Sequence, residues 1–362
     1  VATVGVGFAI LVVFIQLGFY GAVFNTALAV SERFDAELML ISPSFVYLGE
    51  TGTIPRSRLY QALAHPDVAS ATPIYFRYAN WRDPGSGNSC RLFAIGFPLA
   101  EAEVALPLRL PALTDQLEAL KAMDTLLLDR STHEKCGPVD PEGRTEIRDV
   151  AARVVGHFDL GVGFLADGAM VVSDDSFAHF FRGHPLDRPH LGLLKLHPDG
   201  DPEAAAKALG EILPPDVRVV TRSELSAYQT LHWVDNTAVG DIFGMGAVAG
   251  FFVGVVVLFQ ILSADIRNQL PLYATLRAMG YSQLRLKRYI LEQAWIYALL
   301  GYGPALLVGL ATFPVIEGLT HLPIFLSPGL AAGVLIASLL MCSLSALLSA
   351  RRLQRADPAE LF

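Results

Sequence analysis

Residues 270–281 read LPLYATLRAMGY, and the basic segment SQLRLKRYI follows at once. Pro271 suits the first turn of a helix, where a missing N–H costs nothing. Leu272, Leu276 and Met279 fall at i, i+4 and i+7 and form one apolar face, with Tyr273 beside it. Gly280 can take the left-handed conformation that ends a helix. Ser282 is placed to cap the next helix, which opens with Arg285, Lys287 and Arg288. The spacing predicts a short helix and a sharp stop, with a long apolar run on each side. How this stretch is read decides how the chain is threaded.

The chain has 362 residues, 52% of them hydrophobic and 17% charged. A soluble domain carries roughly 25% charged residues, so the balance leans toward a membrane protein. A formal net charge of −8 offers no basic face, and no nucleic-acid partner is expected. The chain starts at Val1 rather than Met, so a cut-back N-terminus is expected, and what precedes it stays open.

Four stretches come near the roughly 20 apolar residues that a bilayer core requires. The expected spans are residues 1–30, 236–264, 289–315 and 327–350. A connection at 265–288, a short loop at 316–326 and a tail at 351–362 complete the membrane part. The 265–288 connection holds five basic residues, among them Arg267 and Arg277, whereas 316–326 holds no Lys or Arg. Basic short loops stay on the cytoplasmic side. That places Arg285, Lys287, Arg288, Arg351 and Arg352 at the inner membrane interface and residues 31–235 outside. The first run has a rival reading as a secretory signal, because Ala27-Leu28-Ala29 resembles a cleavage site. Signal cores are about 7–15 residues, and this run is twice that, so the anchor is preferred.

Residues 31–235 contain two parts that echo each other. ELMLISPS, IPRSRLYQALAHPDV and ASATPIYF read as strand, helix and strand. HLGLLKLHPDGD, PEAAAKALGEILPPDV and RVV repeat that order, with Asp201 as N-cap and Pro202 at the first helical position. The expectation is a duplicated βαβ unit at about 36–89 and 186–225, with a subdomain at about 90–185 inserted. The insert reads as short strands plus one helix near Leu113 to Met123. Cys90 and Cys136 lie in it, and an extracytoplasmic compartment lets them pair, although two loop cysteines can equally stay reduced. Cys342, in the fourth span, reads as a small packing residue.

No constellation of enzyme chemistry survives. GVGFLA at 161–166 fits G-x-G-x-x-[G/A], but DGAMVVSDD follows, a turn and a strand where a dinucleotide site needs a helix. His179, His184 and His190 are spaced by five and six and share no helix face, so a polar surface loop is preferred to a metal site. None of the five lysines follows a glycine, so the chain has no phosphate-binding G-x-x-x-x-G-K-[ST] loop. The spans carry almost no charge at mid-membrane, where an ion-driven carrier would need it. Gly246, Gly250 and Gly254 form a doubled G-x-x-x-G stripe. The stripe serves either a helix neighbour that receives force or plain packing within the subunit.

A two-turn helix is marginal alone and needs a surface for Leu272, Tyr273, Leu276 and Met279. It can lie flat in the lipid interface or fill a groove on a cytoplasmic protein. Here a resemblance enters. LPLYATLRAMGYSQLRLKRYILEQA, residues 270–294, resembles the segment after the second span in FtsX/MacB-type ABC permeases, in particular the DevC-type permeases of cyanobacterial export systems. QLGFYGAVFNTA (16–27), AELMLISPS (36–44), IPRSRLYQALAHPDV (54–68) and ARRLQRADPAELF (350–362) are similar to the DevC type as well.

The resemblance implies a helical membrane domain of four spans plus a large α+β extracytoplasmic domain, a porter-like βαβ pair with an inserted subdomain. It implies a non-catalytic homodimer in a bacterial, cyanobacterial-type inner membrane. ATP and magnesium would be held by an ABC ATPase on a separate chain, or by a fused domain preceding Val1. Leu270, Leu272, Tyr273, Leu276, Arg277, Met279, Gly280 and Tyr281 would form the ATPase-coupling helix. A periplasmic membrane-fusion adaptor and a TolC-like outer-membrane channel would receive a lipid, glycolipid or other hydrophobic cargo. The alternative within the same resemblance is an FtsX-like relay that controls a periplasmic enzyme.

Overall fold

The computed structural model describes residues 2–353 apart from 84, 103–105, 137–142, 162, 164, 236–237 and 321. The chain opens with α1 (Ala2–Leu28), then β1 (Leu38–Ile41), α2 (Ser57–Leu63), β2 (Val68–Arg82) and β3 (Ser89–Phe97). The short helices α3 (Leu99–Ala102), α4 (Pro111–Thr114) and α5 (Leu117–Leu120) precede β4 (Thr125–Asp129), β5 (Arg144–Ile147), β6 (Val150–Phe158) and β7 (Gly168–Ser173). There follow α6 (Asp174–Phe180), β8 (Leu191–Leu196), α7 (Pro202–Ile212), β9 (Arg218–Thr221) and α8 (Arg222–Asp235). The chain continues as α9 (Ala238–Asn268), α10 (Leu270–Ala278), α11 (Gln283–Thr320) and α12 (Pro328–Leu353). Two compact units result. Val23–Thr237 with Thr320–Pro323 make one, and Val1–Ala22, Ala238–Leu319 and Ile324–Phe362 the other.

In the first unit, β2, β8, β1 and β9 lie side by side, and each neighbouring pair is antiparallel. Hence β1 runs parallel to β2, with β8 between them, and β8 runs parallel to β9, with β1 between them. The two βαβ units, β1-α2-β2 and β8-α7-β9, are interleaved rather than stacked in series, which is the split βαβ arrangement. Both faces of these strands are covered. Leu38, Leu40, Leu194 and Leu196 pack with Leu59, Ala62, Ala205 and Leu209 of α2 and α7. Met39, Ile41, Leu191 and Leu193 pack on the other face with Phe34, Ile74, Val220 and Leu225. A strand buried on both faces reads as a continuous apolar run, which is why LMLI shows no alternation. Asp201 Oδ1 accepts from the Glu203 N–H at 3.0 Å and Pro202 opens α7.

β2 is 15 residues long and serves two neighbourhoods. Up to Ile74 it pairs with β8; from Tyr75 it pairs with β3, and at its end with β5. Strands β2, β5, β6, β4, β7 and β3 close into a ring, because β3 returns to β2. Closure removes the exposed edges that such a small sheet would otherwise present. The expected division at residues 89 and 90 therefore lies elsewhere. It falls within β2, and residues 75–89 belong to the ring. The expected helix over 113–123 is also divided into α4 and α5. Gln116 stands at the break: its Nε2 donates to the Ala112 and His157 carbonyls at 2.7 and 3.0 Å, and its Oε1 accepts from the His157 N–H at 3.0 Å, tying the turn between the two helices to β6. A disulfide joins Cys90 on β3 to Cys136, with Cα atoms 5.5 Å apart.

In the second unit α1, α9, α11 and α12 are each long and apolar enough to cross a bilayer. α9 runs to Asn268 and α11 from Gln283 to Thr320, both beyond the expected 236–264 and 289–315. Hydropathy marks only the apolar part of a helix, and at 1.5 Å per residue the 38 residues of α11 span roughly 57 Å, well over a hydrocarbon core of about 30 Å. Glu317 is on α11 rather than in a loop. The buried line of α11 is Leu286, Ile290, Ala294, Ala298, Gly301, Ala305, Gly309 and Phe313, a spacing of four broken once by three. Small residues there admit close neighbours: a Cβ on Gly301 would lie 2.9 Å from Val6 Cγ1 and 3.0 Å from the Gly7 nitrogen. α12 is tied to α9 by hydroxyls, Ser345 Oγ to the Val255 carbonyl at 2.9 Å and Ser349 Oγ to that of Phe259 at 3.4 Å.

Candidate functional site

The short helix α10 is separated from α9 by one residue, Gln269. Helical hydrogen bonds continue on both sides of the break, from the Gln269 N–H to the Asp265 carbonyl and from the Tyr273 N–H to that of Gln269, each at 3.1 Å. Pro271 has no N–H to give, so the ladder is interrupted there. Thr275 Oγ1 turns back on the Pro271 carbonyl at 2.9 Å. At the far end Gly280 has φ +90°, and the Tyr281 N–H reaches the Leu276 carbonyl at 3.1 Å. That six-to-one bond across a left-handed glycine is a Schellman stop. Ser282 then accepts from the Arg285 N–H, through its carbonyl at 3.0 Å and its hydroxyl at 3.4 Å, and starts α11.

The faces of α10 differ from the expected single apolar stripe. Leu272 and Met279 are 56% and 62% exposed, and Leu276 is partly buried. Tyr273 is 8% exposed. It belongs to the inner face, turned toward the region of Asp265 and Tyr297, and needs no partner to bury it. The reason is the 100° step between consecutive helix positions, which separates Tyr273 from Leu272. Among the remaining expected residues, Leu270 and Arg277 are on α10, and their side chains lie outside the described residues. Arg351 and Arg352 are on α12 with side chains outside them too, and the tail from 354 onward lies outside altogether.

The basic residues opening α11 are placed on one short segment. The Arg285 guanidinium lies over the Tyr281 ring at 5.4 Å, Lys287 is partly buried, and Arg288 Nε donates to Glu292 Oε1 at 2.9 Å. Residues that the sequence did not single out complete the site. Leu284 is 79% exposed on the first turn of α11. Asp265 Oδ2 accepts from the Tyr297 hydroxyl at 2.8 Å and from Gln293 Nε2 at 3.4 Å, joining the end of α9 to α11. A carboxylate at the end of an apolar run, with Gln and Tyr one turn apart on a later helix, was the available signal.

The glycine stripe of α9 is occupied within its own chain. A Cβ on Gly246 would meet Gln16, one on Gly250 would lie 3.2 Å from Val12, and one on Gly254 would run into the Met341 sulfur and approach Ala9 at 3.3 Å. Within the chain the stripe packs α9 on α1 and α12.

In the other unit the three histidines do not converge on one point. His179 Nδ1 lies 2.6 Å from Asp124 Oδ1, whereas the rings of His184 and His190 stack at 4.5 Å. His190 Nδ1 accepts from the Phe76 N–H at 3.0 Å, and burial, with smaller contributions from His184 and Arg77, lowers its pKa to about 3. Among the described residues no group of three His, Cys, Asp or Glu is placed to hold a metal. The glycines of GVGFLA line a loop. The buried carboxylate of Asp129 accepts from the Leu160 and Gly161 N–H groups at 3.0 and 2.9 Å, and Gly161 and Gly163 have positive φ.

In comparison with known proteins, one family model matches part of the chain. Residues 244–358 match the family model described as FtsX-like permease C-terminal, a stretch that takes in most of α9 and all of α10, α11 and α12. No curated protein sequence matches the chain. Solved structures similar to it include the periplasmic region of MacB from Actinobacillus actinomycetemcomitans, with 13% identity and TM-score 0.39 over 54% of this chain and 92% of that one. The extracellular domain of the noncanonic ABC-type transporter YknZ from Gram-positive bacteria is similar at 11% identity and TM-score 0.36, over 51% and 99%. A domain of a putative permease protein from Porphyromonas gingivalis is similar at 16% identity and TM-score 0.34, over 51% and 88%.

Proposed function

We propose that this chain is the non-catalytic permease subunit of an ABC-type membrane system, and that α10 is where a cytoplasmic ATPase docks. The observation that carries the reading is the FtsX-like permease match over 244–358, inside which α10 presents Leu272 and Met279 to solvent. Two exposed apolar side chains on a helix held at both ends by its own backbone make a rigid knob that fits a groove. In this reading the chain acts as a homodimer and burns no nucleotide itself. ATP-driven closure of the ATPases pushes α10, and the push passes through α9 and α11 to the extracytoplasmic domain.

The finer assignment is a DevC-type exporter that hands a lipid, glycolipid or other hydrophobic cargo to a membrane-fusion adaptor and a TolC-like channel. It rests on the sequence resemblance of residues 16–27, 36–44, 54–68, 270–294 and 350–362. The test is affinity purification of the tagged chain from native membranes. An ABC ATPase and an adaptor are expected in the eluate. A peptidoglycan hydrolase in place of the adaptor would move the assignment to a signal relay. Cargo movement with no ATPase bound would end the permease reading.

A further inference from the structure

The connection from β6 to β7 is held at both roots. At one, the carboxylate of Asp129, fully buried at the end of β4, accepts from the Leu160 and Gly161 N–H groups at 3.0 and 2.9 Å. At the other, Asp167 is tied to β3: its N–H donates to the Arg91 carbonyl and its Oδ2 accepts from the Arg91 N–H, each at 2.9 Å. Between the roots Leu165 is buried in the core of the unit. Gly163 rests on the last turn of α1 and on the connection from α11 to α12. Its φ is +51°, and a Cβ there would run into Thr26 Oγ1 and lie 3.2 Å from Thr26 Cβ and 3.0 Å from Pro323 Cδ. Thr26 is fully buried, and among the described residues its hydroxyl has no hydrogen-bond partner, so what Gly163 meets there is a shape. Asn25 Nδ2 donates to the Pro323 carbonyl at 2.9 Å, which joins the end of α1 and the α11–α12 connection into one seat. Asn25, Thr26, Gly163 and Pro323 all belong to the sheet-bearing unit.

A close-packed contact passes displacement on, because it has no gap in which to absorb it. Here the contact leaves no room even for a methyl group, and both roots behind it end on strands of the ring. We propose that the β6–β7 connection is a strut, through which displacement of the seat at Thr26 and Pro323 reaches Asp129 on β4 and Arg91 on β3. The ring then has a second link to the helix ends, apart from the covalent one that runs through β1 and β2. The permease reading supplies a source for the displacement but not the contact. The test of the strut uses no ATPase, so the two can fail separately.

The test is amide hydrogen exchange of the full chain in nanodiscs of dimyristoleoyl or of dierucoyl phosphatidylcholine. Thin and thick bilayers change the tilt of membrane-spanning helices and so displace their ends. Peptides covering 125–131 and 159–167 are expected to exchange about threefold differently in the two bilayers, whereas a peptide covering 191–196 should not differ. Thr26→Ala combined with Pro323→Ala opens a gap under Gly163 and should remove the difference. Thr26→Val keeps the shape and should retain it. Exchange at 191–196 also reports whether each variant is folded. Thr26→Cys with Gly163→Cys should cross-link on oxidation, since a disulfide needs Cβ atoms roughly 3.5–4.5 Å apart and these start close to that. No difference in the wild type, an equal difference in the double alanine variant, loss of the difference in Thr26→Val, an equal change at 191–196, or no cross-link would each overturn the strut.

Discussion

The Tyr297 hydroxyl donates to Asp265 Oδ2 at 2.8 Å, so the last turns of α9 are pinned to α11 just before the chain enters α10. Tyr273 of α10 is buried and lies within electrostatic range of both. A displacement of α10 must therefore bear on this pair. Tyr297→Phe is expected to leave ATPase binding intact while lowering the stimulated ATPase rate of the reconstituted complex. The thermal stability loss should be small, about 0.6–1.7 kcal/mol, as for other polar contacts between membrane helices. Asp265→Asn keeps an acceptor for Tyr297 and should be milder than Asp265→Leu. Were both Asp265 variants to stimulate the ATPase like the wild type, the pair would have no part in transmission.

The two faces of α10 predict opposite phenotypes. Leu272→Asp and Met279→Asp change exposed side chains, so folding stability should move by less than about 0.5 kcal/mol. Both should abolish co-purification of the ATPase. Tyr273→Asp places an unpaired charge on the buried face and should cost several kcal/mol. Size-exclusion profiles in detergent, read beside the pull-down, separate the two classes. A Met279→Asp protein that still captures and couples an ATPase would refute the docking assignment.

Glycines at helix contacts should differ according to what faces them. Gly301→Ala drives a methyl toward the Gly7 backbone and Val6, neither of which can swing aside. A cost of about 1–3 kcal/mol is expected. Gly254→Ala meets chiefly the sulfur of Met341, a flexible side chain that can turn away, so a cost under about 1 kcal/mol is expected. Midpoints of thermal unfolding in detergent give the ranking, and the reverse order would contradict the packing described.

His190 makes the sheet-bearing unit sensitive to acid. Its folded pKa, about 3, lies below the ordinary 6.5 because burial disfavours the charged ring. The unfolded chain therefore binds the extra proton between those values. The stability that His190 contributes is complete above pH 6.5 and is lost as pH falls toward 3, at no more than about 1.4 kcal/mol per pH unit. His190→Gln should flatten the profile of denaturant midpoint against pH over that interval, at some cost at neutral pH because the Phe76 N–H must find a new acceptor. An unchanged slope in the variant would show that other groups set the acid response.

The helices and the two βαβ units were legible because their signals are local. α10 is written in Pro271 and Gly280, α7 in Asp201, Pro202 and a stripe of Ala205, Leu209 and Ile212, although Ile212 turns out 65% exposed at the end of the helix. What escaped depends on partners far along the chain. The division inside β2 exists because Tyr75 pairs with Gly96 while Ile74 pairs with Leu191, and nothing in the sequence at 74 and 75 announces it. Gln116 finds its partner at His157, 41 residues on, and Asp265 finds its own at Tyr297 and Gln293. Tyr273 escapes for the same reason, since an apolar stripe read by residue type alone ignores which side its own neighbours cover.

Placing β1 between β8 and β9 has a consequence for biogenesis. The earliest strand to leave the ribosome cannot acquire either of its neighbours until more than 150 further residues have been made, which is the slow, high-contact-order situation. Until then LMLI is a bare, sticky tape, prone to pair with another nascent copy. A truncation that stops short of Thr221 should yield inclusion material rather than a smaller domain.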